Sequence, residues 1–299
     1  MSEPSLAGHP LAEALRALAV LAEPPCPEHA AIARALGLPD APAAGEHTDV
    51  LVFQSYPYAS VYLGAGGMLG GDARDRIAGF WRAIGVSPPS DPDHVSILLG
   101  ALAELLDAEA REPHEIGRAK LHRMRCALHA EHIVSWMPPF LAAVQRIGAP
   151  FYVAWATALE QLLIEIGSAV EPEQQLPSHL RDAPVPDVSP ASLDDLLAQL
   201  LAPVRVGFTI VRDDLARCAD ELGLGLRAGE RRFAMRALIG QDAVGVLGWL
   251  AAEAGRQAAA MTSALPIAAW WRQRARRSAG WLADLATTAG RTLEVAGTC

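Results

Sequence analysis

The sequence predicts an all-α fold, a multi-helix bundle with a helical C-terminal extension. Three observations carry this. Apolar residues recur at the helical period along almost the whole chain. Only one run has high β-propensity, and it contains a proline and has no second run to pair with. Finally, 51 % apolar and 20 % charged residues over 299 positions suffice for a large buried core and lie far from the composition of disordered chains.

The clearest element is the stripe Val95, Leu98, Leu99, Leu102, Leu105 and Leu106, spaced so that all six share one helix face. Asp91 is placed to cap its free N–H groups, and Pro92 suits a first helical position, where a missing donor costs nothing. Similar periodicity marks helices near 10–22, 72–84, 114–135, 151–167, 191–201, 211–222, 230–239, 243–261 and 266–287. The β-like run is Asp49 to Leu63, where Val50 to Phe53, Tyr56, Tyr58, Val61 and Tyr62 cluster around Pro57.

Five prolines fall between Glu171 and Pro190 with little apolar periodicity, the signature of a linker. The expected organisation is therefore a helical domain over 1–170, a Pro-rich linker over 171–190 and a helical region over 191–299.

A formal charge of −9 argues against general affinity for nucleic acid or anionic membrane and favours a cationic partner. Lys120 is the single lysine among 25 cations, which reads as a genome-wide bias. Cys26, Cys126, Cys218 and Cys299 are scattered without a C-x-x-C pair, as expected for reduced thiols in a cytoplasm. Glu13 and Arg16 interrupt the apolar stretch Leu11 to Leu21, so a signal peptide is not expected. The uncharged run Ile147 to Leu159 is shorter than the ~18 residues of a membrane span.

Four local patterns invite chemistry. Gly64 to Gly71 follows the β-like run and precedes a helix, but Leu69 stands where a dinucleotide fingerprint needs its third glycine and no Walker lysine follows. A packed or flexible loop is the simpler reading. His114, His122, His129 and His132 share one predicted helix with Cys126 and Glu131, which makes a metal-dependent helical enzyme conceivable although no standard ligand spacing is present. The segment Phe208 to Ile239 could form a helix-turn-helix, yet five acids oppose its seven arginines. Arg272, Arg274, Arg276 and Arg277 beside Trp270 and Trp271 suggest a solvated helix face with tryptophans turned inward. No Gly-x-Ser-x-Gly elbow or nucleophilic cysteine context occurs.

Two further patterns reach beyond these. Gly79 to Gly85 (Gly-Phe-Trp-Arg-Ala-Ile-Gly) leads through Pro88-Pro89 to Ser90-Asp91-Pro92-Asp93-His94 and the leucine-striped helix. Glu131-His132-Ile133-Val134-Ser135-Trp136-Met137-Pro138-Pro139-Phe140 is followed, after a helix, by Pro150-Phe151-Tyr152-Val153-Ala154. Together, over about Thr48 to Ser168, they resemble the TorD/DmsD/NarJ family of redox-enzyme maturation chaperones. The chain departs from that family in having Pro92 directly before Asp93, Asp as the leading acid, and greater length. The resemblance implies a non-enzymatic, cytoplasmic chaperone without cofactor. It would bind the apo catalytic subunit of a molybdopterin enzyme of the DMSO-reductase superfamily, through its twin-arginine leader, and assist cofactor insertion and assembly before export, as a monomer or dimer. It places Asp93, His94 and Trp81 in a peptide-recognition element, with Leu98 on an apolar face that could line a groove, and His132 and Trp136 in the second motif. Capping by Asp91 and Asp93 of their own helix is the structural alternative for the acids.

Overall fold

The structure, a computed structural model, describes residues 9–168 and 176–297. Among these are sixteen α-helices, two π-helical segments and no strand, in agreement with the all-α expectation. Position 171–175 of the Pro-rich segment and Cys299 lie outside the described residues.

The apolar stripe of the Val95–Arg111 helix forms the centre of the first core: Val95, Leu98, Leu99 and Leu102 have no exposed surface. The Pro10–Val20 helix covers this face with Ala12, Leu15 and Leu18. The Pro150–Ser168 helix packs against the Pro10–Val20 helix, where Trp155 donates its indole N–H to the Leu18 carbonyl at 3.0 Å. Tyr62, Trp136, Phe140 and Trp155 continue the core as an aromatic chain with ring centroids about 5–6 Å apart. Gly148, in the left-handed region at φ +83°, ends the Met137–Ile147 helix and separates it from the next one.

A second core is built from the Leu193–Leu200, Arg212–Leu222, Arg231–Gln241, Ala243–Ala260 and Ala268–Gly297 helices. The C-terminal region also enters the first core through Val204, Met261, Leu265, Ile267 and Trp271. Trp271, fully buried, donates to the Ser135 carbonyl at 3.0 Å. Leu180 is buried in the first core, Arg274 holds the carbonyls of Ala183 and Pro184, and Trp281 donates to that of Asp187. The described part of the Pro-rich segment is thus packed against both regions.

Four details differ from the sequence expectation. The β-like run forms a π-helix over Thr48–Gln54 and a short α-helix over Ala59–Leu63, leaving one isolated bridge between Tyr58 and His94. Burial of Val50, Leu51, Val61 and Tyr62 needs only an apolar environment, which a helix provides as well as a strand. The leucine helix begins at Val95 with His94 as its cap, rather than at Pro92 with Asp91 as its cap, because Asp91 to His94 close a turn and His94 is extended against Tyr58. The 114–135 segment is an α-helix over Glu115–Ala127 that changes to a π-helix over Leu128–Val134. The helix at His29–Ala35 was not anticipated, and the helix expected between Phe140 and Pro150 starts earlier, at Met137, with Pro138 and Pro139 in its first turn.

Candidate functional site

The first motif is organised by a backbone crossing. Val95 N–H donates to the Pro57 carbonyl at 2.8 Å, and Ala59 N–H donates to that of Asp93 at 3.0 Å. This fixes the turn before the leucine helix against the start of the Ala59–Leu63 helix. The Asp93 carboxylate, 2 % exposed, accepts the Ser60 N–H at 3.0 Å. Asp93 therefore caps the neighbouring short helix, not its own. The cap of the leucine helix is His94, whose Nδ1 accepts the Ser96 N–H at 3.3 Å.

His94 joins a small surface network. Its Nδ1 lies 2.6 Å from Ser96 Oγ and 3.6 Å from Glu23 Oε1, and Ser96 donates to the same Glu23 carboxylate through a short hydrogen bond. The Tyr58 ring meets the imidazole edge-on at 4.7 Å. Burial pushes the His94 imidazole below its ordinary value, against the pull of Glu23, Asp91 and Asp93. Burial, with the same carboxylates, pushes the Tyr58 phenol up. Trp81, half-buried, donates its indole N–H to the Pro92 carbonyl at 3.2 Å and so braces the turn from the Gly71–Ala83 helix. Asp91 and Glu23 are exposed. The structure thus brings Asp93, His94 and Trp81 together around one turn and adds Glu23 and Tyr58. No local pattern could have revealed Glu23, which lies 73 residues from Ser96 in sequence.

Leu98 and Trp136 lie elsewhere, in the core, with no exposed surface. The leucine face does not line a groove, because the Pro10–Val20 helix occupies it. The Trp136 indole donates to the His132 carbonyl at 2.9 Å and stacks on Tyr62 at 5.4 Å. His132 itself is buried beside Phe80.

The remaining patterns are occupied by intramolecular contacts. In the glycine loop, a Cβ on Gly67 would lie 1.8 Å from the Leu201 carbonyl oxygen, and Arg205 donates to the Ala65 carbonyl at 3.0 Å. The loop is a docking point for the C-terminal region. His122 pairs with Glu109 at 2.8 Å and His129 contacts the Leu163 carbonyl at 2.9 Å. Among the described residues no three of His, Cys, Asp and Glu converge to hold a metal. Arg217 bridges Asp214 and Glu253, Arg232 pairs with Asp194, and Arg231 holds the Ile210 carbonyl.

The family described as nitrate reductase delta subunit matches residues 44–142, a stretch that contains the crossing, Trp81, Asp93, His94 and the second motif. This region is similar to the nitrate reductase delta subunit family. It is a family of molybdoenzyme maturation chaperones, not of catalysts. The match covers about a third of the chain. No curated protein matches the sequence. Within the delta-subunit region, the two motifs are one surface turn and one core junction. No helix among the described residues is long and apolar enough to cross a membrane.

Proposed function

We propose that this protein is a cytoplasmic chaperone that holds the apo catalytic subunit of a nitrate reductase-type molybdopterin enzyme, engaging its twin-arginine leader until the cofactor is inserted. The observation that carries this reading is the delta-subunit match over 44–142, which spans both motifs. The 191–299 region is then a helical extension of the chaperone domain.

Physical chemistry supports the surface turn as the leader site. Glu23 and Asp91 are exposed carboxylates beside the half-buried aromatics Tyr58 and Trp81, on a chain of net charge −9. A guanidinium can pair with the carboxylates and stack on the rings. Each exposed ion pair contributes only ~0–1 kcal/mol, so affinity depends on the aromatic contacts as well. Asp93 acts by positioning Tyr58 and the turn. The buried leucine face does not contribute in this conformation.

The test uses the full chain and a nitrate reductase-type catalytic subunit from the same organism, prepared with and without molybdopterin. The chaperone retains the apo subunit and releases it when the cofactor is loaded. Equal affinity for both forms, or for neither, contradicts the proposal.

A further inference from the structure

Three basic side chains without an acidic hydrogen-bond partner, one each from the Gly71–Ala83 helix, the Leu128–Val134 π-helix and the short Ser178–Arg181 helix, lie near enough to influence one another's charge. Arg76 Nε and Nη2, His132 Nδ1 and His179 Nε2 are all shielded from solvent and accept or donate no hydrogen bond. Such groups are rare in folded proteins, because each loses its water without compensation. His132 is 5 % exposed. Arg76 and His179 are only half-buried, so the cluster adjoins the surface.

The identity of the unpaired atoms indicates what is missing. Nε and Nη2 form one edge of the guanidinium, the edge that presents two parallel N–H donors to two oxygens of the same anion. The two imidazoles leave one nitrogen each unpaired as well, so the three side chains together offer four unpaired nitrogens, more than a planar carboxylate can use. Asp72 and Glu131 attract the Arg76 charge from a distance, but neither accepts from the unpaired nitrogens. The three side chains sense one another: burial, then Arg76, hold the His132 imidazole down to about 4, and burial, Arg76 and His132 hold that of His179 down to about 3. With no anion present both rings are neutral; a bound anion reverses that field.

We propose that Arg76, His132 and His179 form a binding site for a tetrahedral oxyanion of the phosphate type, either the free ion or the phosphoryl group of a larger ligand. Occupancy ties the Ser178–Arg181 helix, at the described end of the Pro-rich segment, to the delta-subunit region. The site stands on the orphaned nitrogens alone and is independent of the client reading above.

The test is titration of the full chain with inorganic phosphate, glycerol 2-phosphate and acetate at constant ionic strength, read by calorimetry, by the His132 and His179 ring proton resonances, and by thermal melting. The proposal expects one saturable phosphate site per chain and a shift of both imidazole resonances. Binding weakens at least tenfold in Arg76→Met and in His179→Phe, the latter leaving Leu180, the core residue of the same short helix, in place. Phosphate should raise the melting temperature of the wild type and not that of Arg76→Met, whereas without phosphate Arg76→Met melts no lower than the wild type. Competition by glycerol 2-phosphate supports the phosphoryl group of a larger ligand; its failure to compete supports the free ion. No saturable site, unchanged binding in both variants, or binding of acetate in preference to phosphate overturns the proposal.

Discussion

The two sequence motifs, so alike in their polar and aromatic content, are used in opposite ways. Asp91 to His94 crosses the Pro57–Ser60 backbone at the surface, leaving Glu23 and Asp91 in water and Tyr58 and Trp81 half-covered. His132 to Phe140 is internal: Trp136 and Phe140 have no exposed surface, and Ser135 receives Trp271 from the C-terminal region. A motif shared within a family can therefore mark a recognition surface or the junction that holds the surface in place. Residue type does not distinguish the two, but burial and hydrogen-bond partners do.

The sharpest way to break this comparison is to truncate a tryptophan from each motif. Trp136→Ala removes a fully buried ring and should cost about 3–5 kcal/mol in chemical denaturation. Trp81→Ala, half-buried and braced by one hydrogen bond, should cost about 1–2 kcal/mol. Equal costs would mean that the second motif is not the core junction.

A pH titration adds a second contrast. His132 is held neutral by burial, with its value down to about 4 from an ordinary 6.5. The unfolded chain binds that proton first, so the stability from a neutral His132 is complete above about pH 6.5 and is lost as pH falls towards about 4. In phosphate-free buffer this amounts to roughly 3 kcal/mol. His132→Phe should flatten the stability profile over that window, and an unchanged slope would show that His132 is solvated.

Asp93→Ala should cost about 1–2 kcal/mol, because it uncaps the Ala59–Leu63 helix and removes a buried acceptor. Urea denaturation that shows no loss would remove Asp93 from its positioning role. Smallest of all, Asp91→Asn should change stability by less than about 0.5 kcal/mol, since the side chain is exposed. A larger loss would show that the rim is structural.

The helical class was legible because the periodicity of Val95 to Leu106 and the other helices reports burial directly, and burial was what the structure showed. The β-like run misled in detail, since Val, Tyr and Phe suit any apolar environment and only the partner-free context spoke for a helix. Asp93, His94 and Trp81 were legible as a local group. Their chemistry was not, because Asp93 caps a helix more than thirty residues away in sequence, and Glu23 reaches His94 only through the fold. The leucine stripe was read correctly as a helix face; whether another helix or a groove covers it depends on long-range packing that no local pattern encodes.

The central claim is that the surface turn, not the buried motif, meets the client leader. Its most direct test is calorimetric titration of a twin-arginine leader peptide into the wild-type chain, into the double variant Glu23→Gln and Asp91→Asn, and into Trp136→Phe, at low and moderate salt. The double variant should bind about tenfold more weakly at low salt, with a near-normal melting temperature and a shallower salt dependence, while Trp136→Phe binds as the wild type does. Unchanged binding by the double variant, together with weakened binding by a folded Trp136→Phe, would place recognition at the second motif and contradict the account.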